Sequence, residues 1–288
     1  MPSQTLTRAE RQRILRTPGR HELAPERWMR LLRLRDLALG AGVPLLLAVL
    51  WQVACDAGWI DRRLYPSPLD IIRTAGDMWQ RDTLWPDLLA SLRRTGLGYV
   101  IGSAVGALFG VAMGLWRPIR AALDPLLNAL YTVPKLALLP VFLTVFGFGE
   151  LPVVALIAVT VFFFIWISTM SAMVAVPEGY REAGVTLNLS TWQMFRHVML
   201  PAALPEIFVG LRIAAGVSVL ILVGVEFVLG GNGLGHVIEQ GRTTLVLGQT
   251  YVGIVVVALV GLVFSVVVQL IGRLLMPWSR AGSVMRQL

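Results

Sequence analysis

Three side chains in this sequence carry charge within, or just beside, stretches that are otherwise uncharged and apolar. Lys135 stands in Pro125–Gly149, next to Pro134; Arg212 stands in Ile207–Val225; and Glu226 follows directly on that second stretch. A charge placed in hydrocarbon costs several kcal/mol unless it is paired or hydrated, so each of the three implies a partner, a water-filled path or a solute. Lys135 can meet an anion, pair with an acid or guard one mouth of a path. Arg212 can pair with Glu206 or with the loop that precedes its span, or snorkel to the inner interface. Glu226 can meet Arg93, Arg94 or a protein arriving from outside.

Other residue types suited to chemistry do not assemble into a site. Leu229–Gly235 is glycine-rich, yet a phosphate-cradling loop needs Gly-Lys-Ser/Thr at its end and a strand before it, and this segment has neither. It reads as a tight turn followed by a short outer helix. His21, His197 and His236 are scattered without metal-ligand spacing, so no metal site is expected. The one cysteine, Cys55, excludes an internal disulfide and reads as an inert thiol in a lipid-facing or packed helix. No nucleophile–base constellation is apparent, and an enzyme is not expected.

The elements that must position these residues are membrane helices. Of the 288 residues 56% are hydrophobic and 15% charged, too few charges to cover a soluble domain of this size. Leu37–Cys55, Thr95–Trp116, Leu151–Val176 and Thr243–Gly272 carry no Asp, Glu, Lys or Arg at all. With the two stretches that hold Lys135 and Arg212, they give six helices of about 20 residues or more, the length that spans a bilayer. The expected spans are 37–55, 95–116, 125–148, 151–176, 203–228 and 243–272, within a membrane domain at 37–278. Segments on the side of the termini hold 16 Lys/Arg against 8 acids, and those on the opposite side 7 against 9. The positive-inside rule therefore places both termini in the cytoplasm. Residues 1–36, with nine arginines, read as a basic cytoplasmic leader held at anionic lipid headgroups and not as a signal peptide or a nucleic-acid-binding arm. Residues 279–288 read as a cytoplasmic tail.

Local signals add detail. Ser67 and Pro68 start a helix whose Ile71, Ile72, Ala75, Met78 and Trp79 share one face, as expected of a helix lying at the outer interface. Glycine recurs at 98, 102, 106, 110 and 114, a packing stripe that drifts about 40° per step around its helix and so can serve two neighbours. Pro134 and Pro140 bend the third span. On the cytoplasmic side, 177–201 holds two short helices. The first starts at Pro177 and ends at Asn188, which tolerates the left-handed conformation. Ser190 and Gln193 form a capping box on the second, which Pro201 ends. Trp192, Phe195, Val198 and Met199 give this second helix an apolar face that either enters a groove in a partner or packs back on its own bundle.

This loop resembles the motif of binding-protein-dependent ABC importer permeases: Glu-Ala-Ala, three residues, Gly, nine residues, Ile, one residue, Leu and often Pro. Glu182, Ala183, Leu200 and Pro201 match; Gly184 stands at the second alanine, Asn188 at the glycine and Val198 at the isoleucine. Asn188 should keep the turn, and Gly184 should loosen the first short helix by up to about 1 kcal/mol relative to alanine. Further likeness to the nitrate/sulfonate/taurine-type branch lies in Tyr131–Pro140, Phe146–Glu150, Leu200–Pro205, Gly210-Leu211-Arg212 and Gly233-Leu234-Gly235, and it covers nearly everything from Trp51 to Trp278.

The resemblance implies an all-α membrane protein with six transmembrane helices and the type I ABC importer (MetI-like) permease fold, in a bacterial inner membrane. It implies a second permease copy, cytoplasmic ABC ATPase subunits that bind ATP and Mg, and an extracytoplasmic solute-binding protein; the chain itself would bind no cofactor. The residues that would couple to the ATPase are Glu182, Ala183, Gly184, Asn188, Ser190, Trp192, Phe195, Val198, Leu200 and Pro201. Pro134, Lys135, Arg212 and Glu226 would be candidates for the translocation path or its gate. The solute would be a small anion of the sulfonate, taurine, nitrate or bicarbonate class.

Overall fold

Apolar runs free of charge and of interior glycine turns fold as long helices, because in hydrocarbon each backbone amide must find its partner within its own segment. The computed structural model describes residues 25–278. The chain divides into two units, Met1–Pro68 and Leu69–Leu288. In the first, α1 (Pro25–Asp56) is one helix, of which Ala38–Asp56 is apolar enough to cross a membrane. The turn after it closes on itself: the Cys55 thiol faces the Tyr65 carbonyl at 3.7 Å, and Arg62 pairs with Asp56.

The second unit opens within α2 (Pro68–Gln80), all but the first residue of which belongs to it; α2 carries Asp70 in its first turn and buries Ile71 and Met78. Ile72 and Trp79, expected on the same face, stay exposed, and Trp79 instead meets the edge of Trp85 at 5.4 Å. Then come α3 (Leu84–Leu115), α4 (Arg117–Tyr131), a 3-10 turn at Lys135–Leu138, α5 (Leu139–Phe146) and α6 (Glu150–Val174). They are followed by α7 (Glu178–Thr186), α8 (Thr191–Met194), a π turn at Phe195–Met199, α9 (Leu200–Leu229), α10 (Leu234–Thr243) and α11 (Leu247–Leu275).

The centre of this unit is the α3–α6 pair. A Cβ added at Gly98, Gly102, Gly106, Gly110 or Gly114 would collide with Ile157, Val161, Ile165, Thr169 or Met173 respectively, or with the α6 backbone beside it. Both rows step by four residues at a constant offset, so the two helices run in the same direction with their backbones in contact. The stripe therefore serves one neighbour, not two. Its drift of about 40° per step is matched by an equal drift in the row it faces, and two rows that wind together stay in register.

This direction settles the path of the chain between them. Leu115 ends α3 beside Met173, near the end of α6, while Arg93 at the other end of α3 pairs with Glu150 at 3.3 Å. Two membrane-crossing helices that point the same way require the segment between them to return across the full thickness. That return is α4 and α5, which together pass for a span but are bent by 88° at Thr132–Pro134. The third span, expected as one helix with proline kinks, is thus two half-spans. Pro134, extended at ψ 114°, cannot continue α4, and the 3-10 turn restarts the chain in a new direction. With it, and with five helices long and apolar enough to cross a membrane, the described residues hold six crossings.

α9 runs antiparallel to α3 and α6, its early turns beside Met173 and its end beside Arg94. Tyr99 donates to the Leu211 carbonyl at 2.9 Å, and Gly210 admits Ser168 of α6. The core formed by the three helices holds Leu156, Ile157, Val161, Ile165, Ala214, Ala215, Leu222 and Val225.

Candidate functional site

At the end of the bundle where α6 stops, two short helices are pinned by their caps. Asn188 adopts φ +52°, and the Leu189 and Asn188 amides donate back to the Gly184 and Val185 carbonyls at 3.1 and 2.9 Å. This double bond closes the last turn of α7 around a left-handed residue, the arrangement that glycine or asparagine favours. Asn188→Val is expected to cost about 1–2 kcal/mol, whereas Asn188→Gly leaves stability within a few tenths; thermal unfolding of the detergent-solubilised protein measures both. Gly184 has a packing reason as well. It is buried, and a Cβ there would meet the end of the Met194 thioether at 2.5–2.7 Å, which would have to swing aside.

Ser190 accepts from the Gln193 amide at 3.3 Å, and the Ser190 amide donates to Gln193 Oε1 at 2.9 Å, completing the capping box. The helix it opens does not end at Pro201. Thr191–Met194 widens into the π turn, where the Leu200 amide donates to the Phe195 carbonyl, and continues as α9. Pro201 lacks an amide hydrogen and falls in the first turn after this widened stretch, where the shifted ladder makes no demand on it. The loop and the long helix are therefore one continuous rod over Thr191–Leu229.

The apolar face divides between two tasks. Met199 is buried and, with Met194 and Phe195, packs on Ala172, Met173, Val176, Ala203 and Ile207. Trp192 remains 63% exposed, its ring 5.5 Å from that of Phe195. Val198 and Leu200 are half-buried, Glu182 and Ala183 exposed. Arg181 donates to the Met173 carbonyl at 3.2 Å and ties α7 to the end of α6.

The intramembrane charges are placed individually. Lys135 sits at the break in the third span and makes no ion pair with an acid among the described residues. Its Nζ donates to the carbonyls of Leu130, Tyr131 and Val133 at 2.8–2.9 Å and lies 4.4 Å from the centre of the Phe163 ring. A cation there closes the C-terminal end of α4, where unpaired carbonyls concentrate negative partial charge. Arg212 is exposed and directs Nε to Ser265 Oγ of α11 at 3.4 Å; no ion pair with Glu206 occurs among the described residues.

Glu226 lies at the opposite end of the bundle, 1% exposed, in a dense polar knot. Arg94 Nη1 donates to Glu226 Oε1 at 2.9 Å and to the Asn232 carbonyl at the same distance, while Nη2 meets the Asn232 side chain. Ser91 Oγ donates to the Glu226 carboxylate and accepts from the Leu234 amide at 2.8 Å. The Gly235 amide donates to Glu226 Oε2 at 2.9 Å, and the Gly233 amide to Asp87 Oδ1 at 2.7 Å. This explains the glycine-rich run. Gly233 has φ +120°, and a Cβ on it or on Gly235 would strike Glu226 itself. Asp87, Ser91 and Asn232 escaped notice in the sequence, although Asp87, Ser91 and Arg94 fall at i, i+4 and i+7, one polar stripe on an otherwise apolar helix.

The bundle therefore offers a rigid two-helix platform at one end, a clamp at the other and a broken crossing between them. No group of three or more His, Cys, Asp or Glu placed to hold a metal occurs among the described residues. Comparisons with known proteins fit this arrangement. Residues 99–281 match the family model described as "Binding-protein-dependent transport system inner membrane component". SsuC of Bacillus subtilis, whose name assigns it provisionally to aliphatic sulfonates transport, is 30% identical over 277 residues, 96% of each chain. The taurine transport system permease protein TauC of Escherichia coli is 31% identical over 85% of this chain and 90% of its own. The nitrate import permease protein NrtB of Synechocystis is 30% identical over 80% of this chain and 86% of its own. Among solved structures, an amino acid ABC transporter with histidines aligns with a TM-score of 0.50 at 19% identity, covering 66% of this chain and 91% of that one, a likeness of fold. A multi-pass helical bundle without a nucleotide loop of its own, matched over most of its length, belongs to the family of inner-membrane permease components of binding-protein-dependent ABC importers.

Proposed function

We propose that the chain forms one half of a pore that imports a small anionic solute of the sulfonate, taurine, nitrate or bicarbonate class, a second copy supplying the other half. An extracytoplasmic binding protein delivers the solute at the end of the bundle that carries Glu226. A cytoplasmic ATPase, which holds the ATP and Mg, docks on Glu178–Met199. The 16 Lys/Arg in the segments on the side of the termini, against 7 in those on the opposite side, support a cytoplasmic position for that end. The names of the sulfonate, taurine and nitrate permeases support the solute class. The observation that carries the reading is Trp192: a large, exposed indole on a turn fixed by two caps and by Arg181. A rigid aromatic knob of this kind loses little entropy on entering a groove.

The continuity of the loop with α9 suggests how force travels. A displacement of Trp192 moves a 39-residue helical rod whose far end is held by Arg94 and Ser91. ATP binding that draws two such platforms together would rock α9 against α3 and α6, exchanging one packing of the pore for another.

Purification of a tagged copy from the membranes of its host tests this. The wild-type chain is expected to bring a Mg-dependent ATPase with it. Trp192→Glu should lower the yield of that ATPase about thirtyfold, the loss of one interface anchor, without changing the thermal stability of the permease, because the side chain is solvent-facing. Undiminished recovery with Trp192→Glu would overturn the docking assignment.

A further inference from the structure

The break in the third span lies at the centre of the membrane. Phe163, against which Lys135 rests, is 13 residues from Glu150 and 11 from Val174 in α6, so about 20 Å and about 17 Å from its two ends. At this depth irregular backbone does not face lipid, because its free amides and carbonyls would lack partners; it occurs where protein covers it or water reaches it. Yet Thr132, Pro134, Leu136 and Ala137 are exposed on the protomer. The charge balance points the same way. The C-terminal end of a helix carries about half a negative charge, which the full charge of Lys135 exceeds, leaving the break about half a unit positive. All three ammonium protons are engaged by carbonyls, so Lys135 acts through its field and not as a direct solute ligand.

We propose that the break at 132–137 lines the water-filled solute path, with Lys135 as the fixed cation that makes the middle of that path favourable to anions. Lys135 is on this view a positioning and selectivity residue: it caps α4 and reverses the sign of the charge that the broken helix would otherwise present. The inference rests on the reading of the chain as half of a pore, but its test does not require the solute or the ATPase to be known.

The test uses the lone-cysteine background. With Cys55→Ala removing the native thiol, Thr132→Cys is exposed in whole membranes to two water-soluble methanethiosulfonate reagents of equal size and opposite charge. Both are expected to react, and the anionic reagent is expected to gain on the cationic one relative to their ratio on a free thiol in solution. Lys135→Met should lower that ratio about tenfold, as expected for removing one charge at close range, and Lys135→Arg should restore it. If Lys135→Met does not reach the membrane, Lys135→Gln carries the same comparison, and the ratio on unaltered Lys135 against the free thiol reads the field directly. A Thr132→Cys that reacts only with a membrane-permeant maleimide, or with no reagent, overturns the proposal by placing the break against lipid or protein. A ratio indifferent to Lys135 overturns the role of the cation. Neither result bears on whether Trp192→Glu releases an ATPase, so failure here and failure of the import reading are separate outcomes.

Discussion

Arg94→Ala is expected to destabilise the protein by about 3–5 kcal/mol, because it leaves the Glu226 carboxylate buried without its counter-charge. Arg94 and Glu226 are 7% and 1% exposed, and the guanidinium also holds Asn232 and faces Glu150. Removing it breaks the ion pair and one of the links between α3 and the 230–235 turn, which Asp87 and Ser91 still hold. The control is Arg94→Met with Glu226→Leu. A hydrophobic pair of similar volume removes both charges together and should recover at least half of the loss, the remainder reflecting the Ser91 hydroxyl and Gly235 amide left without the carboxylate. Chemical or thermal unfolding in detergent reads all the variants. If the single and double variants are equally unstable, the charge pair is incidental and the turn is held by its other bonds. Gly235→Ala is expected to resemble the single variant, since its Cβ would lie 2.6 Å from Glu226 Cβ.

The second large effect is expected at Gly102. A Cβ there would meet the Ala158 carbonyl oxygen and come within 2.9 Å of Val161 Cβ, and a backbone atom cannot swing aside as a methionine end can. Gly102→Val should force α3 and α6 apart along the whole row and cost about 3 kcal/mol or more, at the upper end of overpacking penalties. Folded, membrane-inserted protein measured by size-exclusion chromatography in detergent should fall sharply. Gly96→Ala is the matched comparison: it lies in the same helix with nothing within 4 Å of the added carbon. It should be neutral or slightly stabilising, by up to about 1 kcal/mol, because only helix propensity changes. Equal behaviour of the two variants would remove the glycine row from any role in packing.

These predictions separate what was legible in the residues from what was not. The capping box at Ser190 and the left-handed Asn188 follow from chemistry within a few residues, so local sequence suffices to read them. Pro201 misled because a proline is an interruption only if the hydrogen-bond ladder needs its amide, and the π turn that removes this need is a property of how Phe195 and Met199 pack on α6. Lys135 was visible as an intramembrane charge, but its partners are carbonyls, which every residue carries and no sequence pattern marks. Glu226 was visible in the same way; its partner Arg94 was one of two adjacent arginines, and only the direction of the helix selects between them.

Hydropathy, charge bias and short-range capping, all additive along the chain, determined by themselves that this is a six-crossing bundle with a structured loop on one side. Tertiary structure alone decided that the glycine row meets a single parallel helix, that the third crossing is broken at mid-depth and that the glycine-rich turn is clamped onto a buried carboxylate. Those are questions of which surface meets which, and they turn on relative helix direction and backbone approach, to which residues far apart in sequence contribute jointly.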